Sequence, residues 1–594
     1  MAEPIPITEY KTLAKLYTKK KQNRDPAQSE LRPIHALDTE TWNGDIFLMA
    51  DSDGRYLDKI TPESVMEWLF YKKYEGSWCF FYNLSYDAEV ILKLLGKELN
   101  RYKRTGKLEF KFGKYRMVYY PNKCLKITAG HHSVIFYDIA QFYHSGLVDA
   151  YQNNIGELPK QYLEIKTKRN EFSPTYYRRN TNAVRQYCID DCVKTKKLSE
   201  HWIKLFDDAF SFYPARWLSS GYLAEKVLIN HEIDIPKFDS IPYEIQEMAY
   251  RSYYGGRFEI LKRGFVGEAY LYDINSAYPY AITQIPDLSK GNWIKRKTIH
   301  KDAKLGFFKI KANVPDCKYV PPFPFRTKHD IIFPSGEFET YCTMTELQAC
   351  ESKSFYRILE GYQFITNSDI YPYREFIENL YQKRMELKQQ NNPLQLPIKI
   401  ILNSIYGKTG QSVNHKIGNL FNPVIFAFIT GFCRAQLYDF VRKHDIEKDI
   451  VFFATDSICT TKKLDVNSTK LGDFSFDNEA DDVFVLQNGF YRFNGKWKQR
   501  GLGKLGTRDI EHLDTFEKDG RLYYRFNVLR NNRLRSSILQ NRVKDIGKIK
   551  PETREFNLNA DRKRFWLGKI EKIDDEIMNE SMPLSLNYFS QLPS

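Results

Sequence analysis

Several things are scarce in this chain, and each absence excludes something. Its nine cysteines are scattered from Cys79 to Cys459 with no CxxC pair. That spacing argues against a disulfide framework or structural zinc site and for free thiols in a reducing compartment. Cys188 and Cys192 stand four apart in an expected helix, where packing is the better reading. No run reaches the roughly 20 apolar residues that cross a membrane. The opening MAEPIPITEYKTLAKLYTKKKQNRD has no apolar signal-peptide core. Internal repeats and long low-complexity linkers are also missing. The expectation is a cytoplasmic protein of directly packed domains with no membrane partner.

Acidic charge is in deficit as well: 74 Asp and Glu face 89 Lys and Arg, leaving +15 and a pI near 9.0. Such a surplus favours a polyanionic partner, because summed positive charge attracts phosphate over long range. At 594 residues and 70.2 kDa the chain exceeds what one core supports. About two to five domains are expected.

What is present begins with acids. IHALDTETWNGD reads as a short buried strand carrying Asp38 and Glu40. Side chains two apart on a strand share a face, so both carboxylates can approach one ion. SWCFFYNLSYDAEVILKLL delivers Asn83 and Asp87 ahead of an apolar helical stretch, and RQYCIDDCVKTKKLSEHW carries Tyr187 and Asp191 on one helical face. Four acids on separated elements suit a two-metal phosphodiesterase, with Tyr187 orienting the attacking water. Taken singly, each motif is more often a solvated turn or a surface helix.

A second set follows. In RSYYGGRFEIL, Tyr253, Gly255 and Gly256 precede a strand, and the glycines permit close backbone approach to a phosphate chain. In AYLYDINSAYPYAI, Asp273 ends an apolar strand, before a turn presenting Ser276, Ala277 and Tyr278. In LPIKIILNSIYGKTGQ, Lys399, Asn403 and Tyr406 fall on one helical face, with Gly407 giving close-packing room or a helix end. Lys383 and Arg384 lie on the preceding helix, across an NNPLQLP turn. VFFATDSICT places Asp456 at another strand end. A basic helical hairpin is the bland alternative for the two helices. Asp273 and Asp456 weigh against it.

The two sets resemble known motifs in order. The first resembles the three exonuclease motifs of DEDD-type 3′–5′ proofreading domains. Within that likeness Asp38, Glu40, Asp87 and Asp191 match the metal-binding acids, Asn83 the polar position of the second motif and Tyr187 the tyrosine of the third. YDIAQFYHSGL at 137–147 looks like a part that contacts single-stranded DNA, and Lys166 and Lys168 like primer-end contacts. The second set is similar to family B DNA polymerases: DINSAYP resembles DxxSLYP, KIILNSIYG matches Kx3NSxYG, FFATDS resembles the DTDS turn, and YYGG resembles the template-contacting YxGG link. GKWKQRGLGK resembles the primer-gripping lysine motif, placing Lys498 there beside Arg500. The likeness covers roughly 34–510 and looks closest to compact viral and plasmid members, many of them protein-primed.

The resemblance implies a multidomain α/β and α+β chain: an RNase H-like exonuclease domain followed by a right-hand polymerase. The expected divisions are 1–205 exonuclease, 206–260 connector, 261–365 palm, 366–420 fingers, 421–510 palm again and 511–594 thumb. It implies two Mg²⁺ ions per active site, replaceable by Mn²⁺, held in the palm by Asp273, the Ile274 main chain and Asp456. It also implies deoxynucleoside triphosphates gripped by Lys399 with Lys383 or Arg384, a base and sugar pocket shaped by Asn403, Tyr406, Gly407 and Tyr278, and primer–template DNA as partner. A priming terminal protein and other replication factors are further partners it implies, in a virus-infected or plasmid-bearing cell. Two departures stand out. Ala454 occupies the place of the first DTDS acid, on the same side as Asp456 if the strand is extended; another acid such as Glu268 could compensate. Little chain separates Gly407 from ATDS, leaving no room for the hairpin by which phage members surround downstream template. A pure exonuclease, or a DNA-binding factor on an inactive polymerase scaffold, is the alternative.

Overall fold

The computed structural model describes Leu13 and residues 30–236, 240–413, 416–500, 510, 513–518, 521–570, 573 and 576–589. Its N-terminal lobe is an eight-stranded mixed sheet. Strand Ile34–Trp42 lies at its centre, antiparallel to Asp45–Asp51 and parallel to Trp78–Phe81, which in turn pairs in parallel with His132–Asp138. All four residues of Trp78–Phe81 are buried, as a strand covered on both faces requires. Trp78 and Phe80 join one hydrophobic cluster while Cys79 and Phe81 join another, which is the period-2 alternation of a strand. The 30-residue helix Thr181–Phe210 crosses this sheet and buries Cys188, Asp191, Cys192 and Trp202. Cys192 is a packing residue, its thiol donating to the Ala50 carbonyl.

The body of the molecule is built on a nine-stranded sheet. Its long central strand Lys262–Ile274 pairs with Phe474–Gln487 on one side and Ser457–Thr460 on the other. Strand Ile450–Thr455 follows, paired with Arg257–Ile260. Lys496–Gln499 closes the opposite edge, and Met578–Pro583 adds to the start of the central strand. Behind the sheet runs helix Pro423–Lys443, sixteen of whose residues are buried. That helix corrects one expectation: by length and composition it could cross a membrane. With 83% of its most apolar window covered by protein, its hydrophobicity is that of a core helix.

Two helices, Arg374–Gln389 and Gln395–Thr409, form a hairpin against this core. A separate four-stranded sheet, Asn292–Lys295, Tyr356–Ile365, Ala303–Val314 and Gly336–Thr343, is inserted between the central strand and the helical hairpin. Between Gly407 and Ala454 lie a strand pair of two residues each, Ser412–Val413 with Lys416–Ile417, and the core helix. The three-stranded sheet Asp514–Lys518, Arg521–Asn531 and Ile549–Asn557 projects from the far side.

Candidate active sites

In the N-terminal lobe the strand Ile34–Trp42 carries Asp38 and Glu40 on one face, and a register shift follows at Glu40/Thr41. Helix Leu84–Lys93 begins at Asn83, whose left-handed φ of 65° turns strand into helix. The Asn83 N–H donates to Asp138 at 3.0 Å, and Asp87 comes in from the first turn of that helix. Asp87 accepts a 2.5 Å bond from the Thr39 hydroxyl. Asp191 arrives from the long helix and accepts from the Tyr162 hydroxyl.

The four acids act on one another electrostatically. Burial, then Asp87, Glu40 and Asp191, raise Asp38 well above the usual carboxylate range. Burial also pushes Glu40 to about 7 against the opposing pull of Arg169, and Asp87 to about 7 despite the Thr39 bond. Glu40 Oε1 is buried and has no hydrogen-bond partner. Ligand atoms of Asp38, Glu40 and Cys188 lie within 4.8 Å of one another. Burial raises the Cys188 thiol far above its ordinary range, so it stays protonated and the donors left are carboxylates. Like charges held together with an orphaned oxygen fit a divalent cation, which removes the mutual repulsion.

Tyr187 is buried, its hydroxyl without a partner, and its ring stacks on Tyr162 at 5.4 Å. Lys166 lies beside Tyr162, its ammonium 5.8 Å from the ring centre, and feels the Asp191 charge. Lys168 is exposed at the end of helix Lys160–Thr167. Two residues here escaped the sequence reading: Tyr162, and Arg169, which pairs with Glu40 at 3.7 Å. Both sit in the KQYLEIKTKR stretch already singled out for lysines, where nothing local separates a site residue from a surface one. In the 137–147 stretch Phe142 is buried, stacked on Trp202 at 4.6 Å, and His144, Ser145 and Gly146 form the exposed part.

In the large sheet one cross-strand row contains Phe258, Ala454, Ser457, Asp273 and Ser475, each directly opposite the next. Directly opposed residues share a face. The Ser457 hydroxyl donates to Asp273 at 2.8 Å, and the Ile274 N–H donates to the Asp456 carbonyl at 3.1 Å. Asp456 is pushed up to about 7 by burial and then by Asp273. The strand is not extended through this acid. Thr455 has φ of 71°, and the Asp456 N–H bonds back to the Ala454 carbonyl at 2.9 Å. That is a three-residue γ-turn, uncommon and strained for a β-branched residue. Ala454 therefore faces the row as a strand residue while Asp456 is delivered by the turn. Ala454 is packed against the cluster that contains Phe452, Val485 and Phe493. Glu268 does not compensate: it bonds the Tyr270 hydroxyl, on the strand face opposite Asp273.

Tyr278 and Tyr406 lie 4.4 Å apart between ring centres, and the Tyr406 hydroxyl is 3.1 Å from that of Tyr253. Gly255 has φ of 78°. A Cβ on Gly256 would stand 2.8 Å from Thr455 Cγ2 and 3.2 Å from the Tyr278 hydroxyl. The glycine requirement at 256 is thus packing against the acid-bearing turn. Gly407 is different from expectation: helix Gln395–Thr409 continues past it, and a Cβ there meets nothing within 4 Å. Lys399, Asn403 and Gly407 form an exposed stripe on that helix. Arg384 reaches Ser276 at 3.3 Å, next to Ala277; Lys383 is half-buried beside it. Lys498 is exposed opposite Tyr491, hence on the face that carries Asp273, and the Arg500 guanidinium lies 4.7 Å from the Phe258 ring centre. Residues 501–504 of the same motif lie outside the described residues. Arg434 was missed by sequence reading because a lone arginine in an apolar helix carries no pattern. It is buried, paired with Glu346 at 2.8 Å, and donates to the Gly255 carbonyl.

A family model described as DNA polymerase type B, organellar and viral, matches residues 71–420. The chain belongs to that family. It is a DNA-templated DNA polymerase with an N-terminal domain of exonuclease type. It is similar to the DNA polymerase of Acidianus bottle-shaped virus (isolate Italy/Pozzuoli), 26% identical over 553 residues spanning 85% of this chain and 80% of that one. In fold this polymerase resembles Phi29 DNA polymerase. A post-translocation binary complex of that enzyme with primer–template DNA superposes with TM-score 0.61 at 14% identity, covering 89% of this chain and all of that one. Its ternary complex with incoming nucleotide gives 0.59 at 13%, with 89% and 100% covered. The likeness is to the phi29-like, right-hand arrangement of palm, fingers and thumb.

Proposed function

We propose that this polymerase extends a DNA primer with Asp273 and Asp456 as its metal-holding acids and removes mispaired 3′ ends with Asp38, Glu40, Asp87 and Asp191. The observation that carries the reading is the double occurrence of grouped, buried carboxylates: Asp38 and Glu40 with Asp87 and Asp191 in the N-terminal lobe, and Asp456 beside Asp273 on adjoining strands of the large sheet. Magnesium, two ions per site in this reading, supplies charge neutralisation and polarises the attacking and leaving oxygens. The chain's own residues bind and orient. Lys399 and Arg384 receive triphosphate charge, Tyr278 on Tyr406 closes the sugar side against a ribose 2′-hydroxyl, and Asn403 and Gly407 leave room for the base. Ser457 holds one Asp273 oxygen, and the other would be free to hold the ion when bound. In the second site Tyr187 orients water, and Lys166 and Arg169 receive the 3′-terminal phosphate. Asn83, Tyr253, Gly255, Gly256, Lys498 and Arg500 contact DNA.

Ala454 serves as packing in this reading, and two acids suffice for synthesis. In the same reading a priming terminal protein docks on the inserted four-stranded sheet, and the enzyme replicates a viral or plasmid genome inside a cell. The deciding experiment compares primer extension and 3′-end degradation by the native chain, its Ala454→Asp form and Asp273→Asn. Extension by both of the first two is expected, with the aspartate form needing several-fold less Mg²⁺, and degradation retained when Asp273 is lost. Extension only by the aspartate form would show a polymerase silenced at one carboxylate. Extension by neither would leave a nuclease on a polymerase scaffold.

A further inference from the structure

The row that carries Asp273 has no acid at Ala454, on one side, but the strand on its other side brings one. Toward strand Ile450–Thr455 the row runs through Ser457 to Ala454. On the opposite side stands strand Phe474–Gln487, whose pairing with the central strand is irregular between Leu271 and Tyr272. Ser475 lies opposite Asp273, Phe476 opposite Tyr272 and Asn478 opposite Leu271. Asp477 is therefore the extra residue of a β-bulge.

Alternation along the strand fixes the side on which this carboxylate stands. Counting forward from Ser475, Asp477 shares the face of Asp273; counting back from Ala480, opposite Ala269, Asn478 shares it too. The Phe476 ring lies on the other face, 5.9 Å from that of Tyr272. Asp477 is thus a diagonal neighbour of Asp273, a relation that spans about 7–8 Å between strands. Nearby acids of the same strand are neutralised: Glu479 pairs with Lys463 at 2.8 Å and Asp482 with Arg492 at 3.5 Å. Asp477 is exposed, and among the described residues its carboxylate has no ion-pair or hydrogen-bond partner. Its charge reaches Asp273: burial and then Asp477 raise that carboxyl against the hold of Ser457. It also reaches Tyr491, which packs against the same cluster as Ala454.

We propose that Asp477 is the auxiliary acid of the polymerase site, supplying from the bulge the negative charge that Ala454 does not. Asp273 and Asp456 remain the residues that hold the ions. Asp477 lowers the concentration of divalent cation at which they fill, because negative charge beside the site attracts cations and offsets the repulsion between two of them. A bulge beside an active site is a device for re-aiming a side chain. The inference rests on the polymerase reading for what the site does, but not for its affinity for a cation.

The test measures bound ions apart from activity. In full-length chains carrying Asp38→Asn and Asp87→Asn, which disable the N-terminal site, free Mn²⁺ is followed by electron paramagnetic resonance in the presence of primer–template and a non-hydrolysable deoxynucleoside triphosphate. Asp477→Asn should weaken Mn²⁺ binding about tenfold and raise by a similar factor the Mg²⁺ needed for half-maximal extension. Asp477→Glu should keep both near their native values, and Ala454→Asp added to Asp477→Asn should recover most of the loss. Mn²⁺ affinity left unchanged by Asp477→Asn would overturn the assignment, as would an equal loss in Asp477→Glu, which keeps the charge. A native chain that binds Mn²⁺, loses affinity in Asp477→Asn, yet adds no nucleotide at any Mg²⁺ concentration would overturn the polymerase reading and leave the auxiliary acid standing.

Discussion

Individual side chains carry the chemistry through their charge states. Glu40 is raised from an ordinary 4.5 to about 7, Asp87 from 3.8 to about 7, and Asp38 in the same direction. A carboxyl raised on folding binds its proton more tightly in the folded state, so its stabilising contribution is complete below the unfolded pKa. It is lost as pH rises through the folded value. In EDTA the melting temperature should therefore fall as pH rises from about 4.5 to about 7, most steeply midway between the unfolded and folded values. Millimolar Mg²⁺ should restore several degrees at the alkaline end, and Asp38→Asn should remove much of the slope. A metal-free protein whose melting temperature is flat across this window would contradict the paired-carboxylate account. Asp456, raised to about 7, adds to the same slope from the other site.

Elements decide where these acids stand. The turn that delivers Asp456 packs against Gly256, which also lies against the Tyr278 hydroxyl. Gly256→Ala places a methyl 2.8 Å from Thr455 Cγ2 and 3.1 Å from its Cα, so the turn must shift. Extension should drop at least tenfold, about 1.4 kcal/mol in barrier, while 3′-end degradation is retained; equal loss of both would point to misfolding. Behind it, Arg434 and Glu346 are each 2% exposed and paired. Glu346→Ala leaves a buried guanidinium uncompensated at a cost of about 3–5 kcal/mol, readable as a marked fall in melting temperature. Substituting both by apolar residues of similar volume should recover most of that loss, because the desolvation cost disappears with the charge. The arginines of the projecting sheet are largely engaged with acids: Arg525 with Glu555 at 3.2 Å and Arg530 with Glu552 at 3.6 Å. They are weaker phosphate ligands than their number implies.

At the scale of the whole molecule, a net charge of +15 predicts strongly salt-dependent DNA binding. The logarithm of affinity should fall linearly with the logarithm of salt concentration, with a slope of about −0.9 per phosphate neutralised. Fluorescence anisotropy on a primer–template measures that slope, and a near-zero value would exclude an electrostatic grip.

The sequence by itself determined which acids, tyrosines and lysines share a face, because those signals are local. Acids at the ends of apolar runs, tyrosine four before aspartate and lysine four before asparagine are spacings that strands and helices turn into shared faces. The family match on residues 71–420 spans Asp87, Asp191, Asp273 and Lys399 but not Asp38, Glu40 or Asp456. The tertiary structure decided the rest. Thr455 ends the strand in a turn, so Ala454 and Asp456 do not stand as an extended pair. Tyr162, Arg169 and Arg434 join sites whose other members lie far away in the chain. The Leu534 N–H donates to Glu89, 445 residues earlier in the chain. Contacts over such separations depend on where whole elements pack, and no window of sequence contains that information.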